Sequence, residues 1–269
     1  MNVTTKRALV LITGASTGIG AALAQCFAKG GFDLVLVARS ADKLALLAQD
    51  LRTQHQVRVW VEPFDLSVKS SVKKLAANLK KQQLDVDVLV NNAGVLEHGS
   101  FTGIDPARQL GMIELNVLGL TAMLNQFVPG MVARGHGKVL NVASIAAFQP
   151  LPGLATYAAT KAYVLSLSEA LAEELKPAGV SVTALCPGIT ETNMMASAQQ
   201  QSSSLQQVPS IMVGDVADVA QEGYEACMAG EAIRVPGALN LAATLLARAT
   251  PKWLVRRVTG VMGRLTTQG

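Results

Sequence analysis

Residues Leu9 to Thr13 form a short aliphatic run that passes directly into Gly14-Ala15-Ser16-Thr17-Gly18-Ile19-Gly20, and a helical pattern then runs from Ile19 to Lys29. A strand that turns on glycines into a helix cannot pair with its successor as a hairpin. The helix must carry the chain back across the sheet, so the next strand lies parallel to the first. The alternation then repeats. Strands are expected at Leu34 to Ala38, Val57 to Glu62, Val86 to Val90, Lys138 to Val142 and Val180 to Leu185. Helical patterns separate them at Asp42 to Thr53, Val68 to Lys81, Pro106 to Arg134 and Thr156 to Leu175. Ala232 to Val235 offers a seventh strand. The pattern predicts an α/β fold, a doubly wound parallel sheet of six to seven strands with helices on both faces.

A sheet covered on both faces needs many apolar side chains, and of 269 residues 50% are hydrophobic and only 16% charged. That length suits one domain over 1–269 and is short for two. The mean hydropathy of +0.33 is high. Even so, no stretch approaches the roughly 18 uninterrupted apolar residues of a membrane span; Ala238 to Ala247 contains Asn240 and ends at Arg248. No transmembrane helix is expected. Met1 to Ala8 lacks a small-residue cleavage site, so no signal peptide is expected either. Cys26, Cys186 and Cys227 sit in apolar surroundings and read as core thiols of a cytoplasmic protein. His55, His98 and His136 are scattered without metal-ligand spacing, and no metal site is expected.

The glycine turn also carries chemistry. Gly14 permits the tight turn, Gly18 lets the backbone approach a diphosphate, and Gly20 lets the helix pack closely, while the helix N-terminus favours negative charge. This is a dinucleotide site. At the end of the second strand, an NAD enzyme holds an acid for the ribose 2′-hydroxyl. Here Ala38 is followed by Arg39, whose planar fork suits a 2′-phosphate, so NADP(H) is preferred over NAD(H). Tyr157 and Lys161 are four residues apart on a helix and share a face, so the phenol and the ammonium can point into one cleft. A free tyrosine titrates at about 10. A neighbouring ammonium and the positive ring of an oxidised nicotinamide both favour the phenolate and are expected to lower that value, making Tyr157 acidic enough to move protons. Taken singly, these residues have plainer uses: a surface pair for Tyr157 and Lys161, a solvated cation for Arg39, a helix cap for Asp65.

In combination they resemble the single-domain short-chain dehydrogenase/reductase family, from about Lys6 to Val235. Thr13 to Gly20 matches its cofactor loop, including Ser16, Thr17 and Ile19; Asp65-Leu66 matches its adenine site; Asn91-Asn92-Ala93-Gly94 matches the segment that supports the central sheet and contacts the cofactor. Asn116, Ser144, Tyr157 and Lys161 match its catalytic tetrad, and Pro187-Gly188-Ile189-Thr190-Glu191-Thr192 its Pro-Gly-x-x-x-Thr element. The resemblance implies a Rossmann-type fold and interconversion of a carbonyl and an alcohol. It also implies roles: Tyr157 as general acid/base, Ser144 holding the substrate oxygen, and Lys161 binding the nicotinamide ribose. Asn116 would interrupt its helix and hold a proton-relaying water, and the Ile189 backbone and Thr192 hydroxyl would orient the carboxamide. The alternative is a cofactor-binding sensor or scaffold without turnover.

The segment Thr190 to Val213 is expected to form a lid, with Met194, Met195, Ile211 and Met212 as apolar contacts and a polar patch at Gln199 to Gln207. Ile145, Ala146, Ala147, Phe148 and Leu151 beside Ser144 are apolar too, which points to a hydrophobic ketone, aldehyde or 3-oxoacyl substrate. Glu231 is the last acid, and Arg234, Arg248, Lys252, Arg256, Arg257 and Arg264 follow it. The first 231 residues therefore hold 17 of the 23 bases against all 19 acids, a formal net of −2 within a chain of +4. After Thr250-Pro251, a basic amphipathic helix is expected at about 251–265, with Leu254, Val258, Val261, Met262 and Leu265 on one face. It could lie on an anionic membrane surface, cross a subunit interface or dock on its own domain; packing against protein is the favoured reading. Nucleic acid is not an expected partner, because no reader motif accompanies the basic residues. A homodimer or homotetramer is expected.

Overall fold

The strands are built from runs that are buried along most of their length, as a sheet covered on both faces requires. In the computed structural model, which describes residues 7–190 and 213–249, β1 (Leu9–Thr13) and β2 (Asp33–Ala38) frame helix α1 (Gly18–Lys29). Then follow α2 (Ala41–His55), β3 (Val59–Pro63), α3 (Ser71–Lys81), β4 (Val88–Asn91), α4 (Pro106–Ile113), a π-helical turn (Glu114–Gly119) and α5 (Leu120–Arg134). The second half comprises β5 (Gly137–Val142), a 3₁₀ turn (Ile145–Phe148), α6 (Ala155–Leu175), β6 (Val180–Leu185), β7 (Ile189–Thr190), β8 (Val213–Gly214), α7 (Val216–Ala229), β9 (Ile233–Arg234) and α8 (Ala238–Ala249). Seven strands form one sheet in the order β3-β2-β1-β4-β5-β6-β9, every pairing parallel. Winding reverses between β1 and β4, which opens a crevice at their carboxyl ends.

Two apolar layers sandwich the sheet. On one face, Val72, Leu75 and Leu79 of α3, Met123, Leu124 and Met131 of α5, and Val164 of α6 pack on Leu11, Leu89 and Val139. On the other, Leu23 and Phe27 of α1, Leu44 and Leu51 of α2, and Val219 of α7 pack on Val10, Ile12 and Leu140. Phe27 meets Phe32 and Tyr224 edge to face, with ring centroids 5.3 and 5.0 Å away. Asp33 is wholly buried, and its carboxylate accepts from the Arg58 backbone N–H and from both Nε and Nη2 of the same residue, which ties β2 to the start of β3. Cys186 and Cys227 are buried thiols, while Cys26 is half-buried. Burial pushes the Cys227 thiol up to about 12, which keeps it protonated and inert.

The structure departs from the sequence reading in several places. The helix expected from Val68 starts at Ser71, because Asp65 accepts from the Ser67 N–H (3.0 Å) and hydroxyl (2.7 Å) and holds the chain in a turn. The single helix expected over Pro106 to Arg134 is broken by the π turn. That 29-residue run could cross a membrane by length and composition alone, yet it is interrupted by Gln109, Glu114, Asn116 and Asn125 and buries Met112, Met123, Leu124 and Met131 inside the protein. It is placed as a core helix. The expected lid contacts Met194, Met195, Ile211 and Met212, the polar patch Gln199 to Gln207, Thr192, and the helix at about 251–265 all lie outside the described residues.

Candidate active site

At the carboxyl ends of β1, β4 and β5 lies a cleft of about 420 Å³. Gly14, Ser16, Thr17, Gly18 and Ile19 line one wall. Gly14 has φ +63°, a backbone conformation that residues with a Cβ avoid. A Cβ at Gly20 would stand 2.3 Å from the Gly14 carbonyl oxygen and 2.4 Å from Asn92 Nδ2, so Gly20 works behind the turn rather than as part of the wall. Asn92 fixes the arrangement: its Nδ2 donates to the carbonyls of Thr13 (3.0 Å) and Gly14 (3.1 Å), while the Asn92 and Ala93 N–H groups donate to Thr13 Oγ1. No side chain caps α1, so the N–H groups of its first turn remain available at the wall. A glycine cradle and an open helix N-terminus fit a dinucleotide diphosphate.

Arg39, Asp65 and Leu66 line the far end of the cleft, joined by Ser40, Lys43 and Phe64, which the motifs do not mark. Lys43 lies in the first turn of α2, four residues after Arg39; that spacing after a basic strand end is the signal that would have found it. Burial alone would raise the Asp65 carboxyl. The Ser67 hydroxyl and N–H together with the Arg39 charge outweigh burial and hold it below the ordinary value. Toward the other end, Ala93, Gly94, Pro187 and Gly188 line the cleft as expected, with Val142, Ala143 and Thr190 in addition. Ile189 belongs to β7 and stands outside this lining.

The four tetrad positions converge. Tyr157 and Lys161 on α6 are 8% and 5% exposed, and Lys161 Nζ donates to the Val142 carbonyl at 2.8 Å. Ser144 ends the β5 segment, and its Oγ accepts from the Ala146 N–H at 3.1 Å and hydrogen-bonds the Tyr157 phenol. Asn116 lies in the π turn. Its Oδ1 accepts from the Val95 N–H (2.9 Å), and its Nδ2 donates to the Val95 carbonyl (2.9 Å) and to Thr160 Oγ1 (3.2 Å). Asn116 therefore stands behind the cleft wall rather than in it.

One expectation is reversed. Burial raises the Tyr157 pKa, and the Ser144 hydrogen bond only partly opposes it. Lys161 does not lower it, and its own charge is disfavoured by burial, which drops its pKa from 10.5 to about 8. A second correction concerns the apolar residues beside Ser144. Ala146 and Leu151 do join Met112, Val95, Leu96 and Leu154 around Tyr157. Ile145, Ala147 and Phe148 turn the other way and pack against the main core.

Comparison with known proteins agrees with this geometry. Residues 8–203 match the model of the short chain dehydrogenase family. The chain is 33% identical over 184 residues to an uncharacterised oxidoreductase of Staphylococcus saprophyticus, covering 68% of this chain and 79% of that protein. It is 36% identical over 189 residues to a very-long-chain 3-oxoacyl-CoA reductase of Pyrenophora tritici-repentis, covering 68% of this chain and 55% of that protein. Among solved structures, a short-chain dehydrogenase from Sphingobium yanoikuyae in complex with NADPH aligns with a TM-score of 0.79 at 32% identity, over 91% of this chain and 96% of that one. With its sheet order, its glycine cradle and the convergence of Ser144, Tyr157 and Lys161, the chain belongs to the short-chain dehydrogenase/reductase family and is an NAD(P)-dependent oxidoreductase.

Proposed function

We propose that the protein reduces a hydrophobic carbonyl compound, a ketone, aldehyde or 3-oxoacyl derivative, to its alcohol, or runs the reverse reaction, with NADP(H). The observation that carries this reading is a buried, protonated Tyr157 beside Ser144, ringed by Val95, Leu96, Leu151 and Leu154. A phenol whose pKa is raised holds its proton at neutral pH and can donate it to a carbonyl oxygen as negative charge develops there. The Ser144 hydroxyl adds a second hydrogen bond to that oxygen. Lys161, near its own midpoint at about 8 and anchored to Val142, can return a proton toward the phenol. Asn116 clamps Val95 and so holds the apolar wall; a relaying water would have to use the second lone pair of Oδ1.

A bound nicotinamide dinucleotide supplies the hydride for reduction and accepts it for oxidation. Gly14, Ser16, Thr17, Gly18 and Ile19 with the α1 N-terminus would hold its diphosphate, and Asp65, Leu66, Asn92, Ala93 and Gly94 its adenosine side and sheet-facing edge. Tyr157 and Lys161 would bind the nicotinamide ribose, and Pro187, Gly188, Ile189 and Thr192 the carboxamide. Arg39 and Lys43 place two cations where a 2′-phosphate would sit, and neither β2 nor the first turn of α2 offers an acid on the cleft wall to bond a free 2′-hydroxyl. The NADPH named for the Sphingobium structure and the acyl substrate named for the Pyrenophora reductase support the reading.

The test is NADPH oxidation across apolar ketones, aldehydes and 3-oxoacyl thioesters beside polar sugars, with Tyr157→Phe as control. Apolar substrates should turn over, and Tyr157→Phe should lose about 10²-fold or more of turnover while still binding NADPH. Turnover of sugars alone would overturn the substrate class. NADPH binding without turnover of any carbonyl would instead favour a sensor or scaffold.

A further inference from the structure

Asn116 does not act alone on the segment between β4 and α4, residues 92–105. That segment begins with Asn92, Ala93 and Gly94 on the cleft wall and continues into Val95 and Leu96, which pack beside Tyr157. Asn116 grips its start: the side-chain amide bonds both the N–H and the carbonyl of Val95 and reaches Thr160 on α6. Gln109 grips its end in the same manner. Gln109 is 8% exposed; its Nε2 donates to the carbonyls of Phe101 (2.8 Å) and Ile104 (3.2 Å), and its Oε1 accepts from Thr156 Oγ1 at 3.0 Å. Both N–H donors are engaged, and the reversed amide would set its oxygen against two carbonyls, so the side chain has one satisfied orientation.

The two clamps frame the tyrosine. Gln109 and Met112 are three residues apart on α4 and share a face, and Thr156 and Thr160, four apart on α6, share another. Between the two amide contacts, wholly buried Met112 packs in the cluster that holds Tyr157 and Ala158. α4 and the π turn are thus joined to the start of α6 by a polar rung at Thr156, an apolar one at Tyr157 and a polar one at Thr160. Leaving a buried amide unpaired is costly, so lifting the segment off α6 means breaking the Gln109 bonds. Gly99, between the clamps, donates its N–H to the Gly153 carbonyl at 2.9 Å, just ahead of α6. We propose that Gln109, acting through Thr156, is a positioning residue that fixes residues 95–104 against α6 and so sets the width of the cleft on the substrate side of Tyr157. The substrate half of this statement rests on the function proposed above; the clamp itself does not.

The test uses the full chain and two variants. Gln109→Leu removes the clamp, whereas Thr156→Val keeps the side-chain shape and the bonds to Phe101 and Ile104 but cuts the tie to α6. Amide hydrogen exchange should show the Gly99 N–H exchanging about fivefold or more faster in both, while the Val95 N–H, held by Asn116, and the β1 amides stay as in wild type. KM for a bulky apolar ketone should rise by a similar factor, about fivefold, with KM for NADPH unchanged. Gly99 exchange as slow as in wild type would overturn the proposal. So would equal acceleration at Gly99 and in β1, which would make Gln109 a support of the whole fold, or faster Gly99 exchange with KM for the ketone unmoved. If Gln109→Leu does not fold, Thr156→Val decides by the same measurements. A wild type that reduces no carbonyl would remove the function proposed above, and Gly99 exchange would then decide the clamp by itself.

Discussion

Lys161 gives a prediction with a definite sign: replacing it should make the dinucleotide-free protein more stable at neutral pH. Its pKa falls from 10.5 to about 8 because burial disfavours the ammonium. Two and a half units correspond to about 3 kcal/mol against the charged form at pH 7. Lys161→Met keeps most of the volume and removes that cost, but it also loses the 2.8 Å hydrogen bond to the Val142 carbonyl, worth about 1 kcal/mol. The net gain is about 2 kcal/mol, or a melting rise of about 4–8 °C for a chain of this size. The pH dependence follows from linkage. The folded pKa is the lower one, so between about 8 and 10.5 the unfolded chain binds more protons, and wild type gains stability as pH rises through that window. The advantage of Lys161→Met should therefore be largest below about 8 and gone near 10.5, where only the lost hydrogen bond remains. Urea unfolding of both proteins at pH 7 and pH 10, without dinucleotide, measures it, and the comparison cancels every other titrating group. A variant less stable than wild type at pH 7, or a difference that does not change with pH, would refute the reasoning.

Two further outcomes are expected from the cleft wall. Gly20→Ala should lose about 1–3 kcal/mol and weaken dinucleotide binding, because its Cβ meets the Gly14 carbonyl at 2.3 Å, whereas Gly111→Ala, which meets nothing within 4 Å inside α4, should be neutral or stabilising; thermal melts and NADPH titration read both. Replacing Arg39 and Lys43 together by alanine should raise KM for NADPH about tenfold or more while leaving that for NADH nearly unchanged, and equal losses for both would show that these cations do not read the 2′-phosphate.

What the sequence discloses and what it hides divide along physical lines. β1 and β6 fall where their apolar runs place them, because buried parallel strands are read directly from composition. The glycine turn is equally legible, since close backbone approach leaves no residue but glycine at Gly20. The π turn is not, because helical periodicity continues through it; what distinguishes Asn116 is the pair of hydrogen bonds to Val95, a residue 21 positions away. Val142, Ala143 and Thr190 join the cleft through the placement of β5 and β7, not through any local pattern. Ile145 and Phe148 pack on the main core for a related reason: apolar character near Ser144 does not say to which side of a 3₁₀ turn a side chain points.

Burial, the quantity that sequence carries least directly, also changes the meaning of the Tyr157 and Lys161 pair. Spacing alone suggests a phenolate held by an ammonium. In the folded protein both groups are shifted toward their neutral forms by one cause, removal from water. A charged pair would need the two charges in contact to offset desolvation, and the Lys161 ammonium instead donates to the Val142 carbonyl at 2.8 Å. On the function proposed above, burial favours a protonated phenol beside an amine whose pKa is about 8, an arrangement suited to giving a proton to a developing alkoxide. Ser144 is the group that moderates the phenol, since its hydrogen bond is the influence that draws the Tyr157 pKa back down. On the function proposed above, the pair seen in the sequence becomes a trio, with Ser144 setting how readily the proton leaves and Lys161 how readily it is replaced.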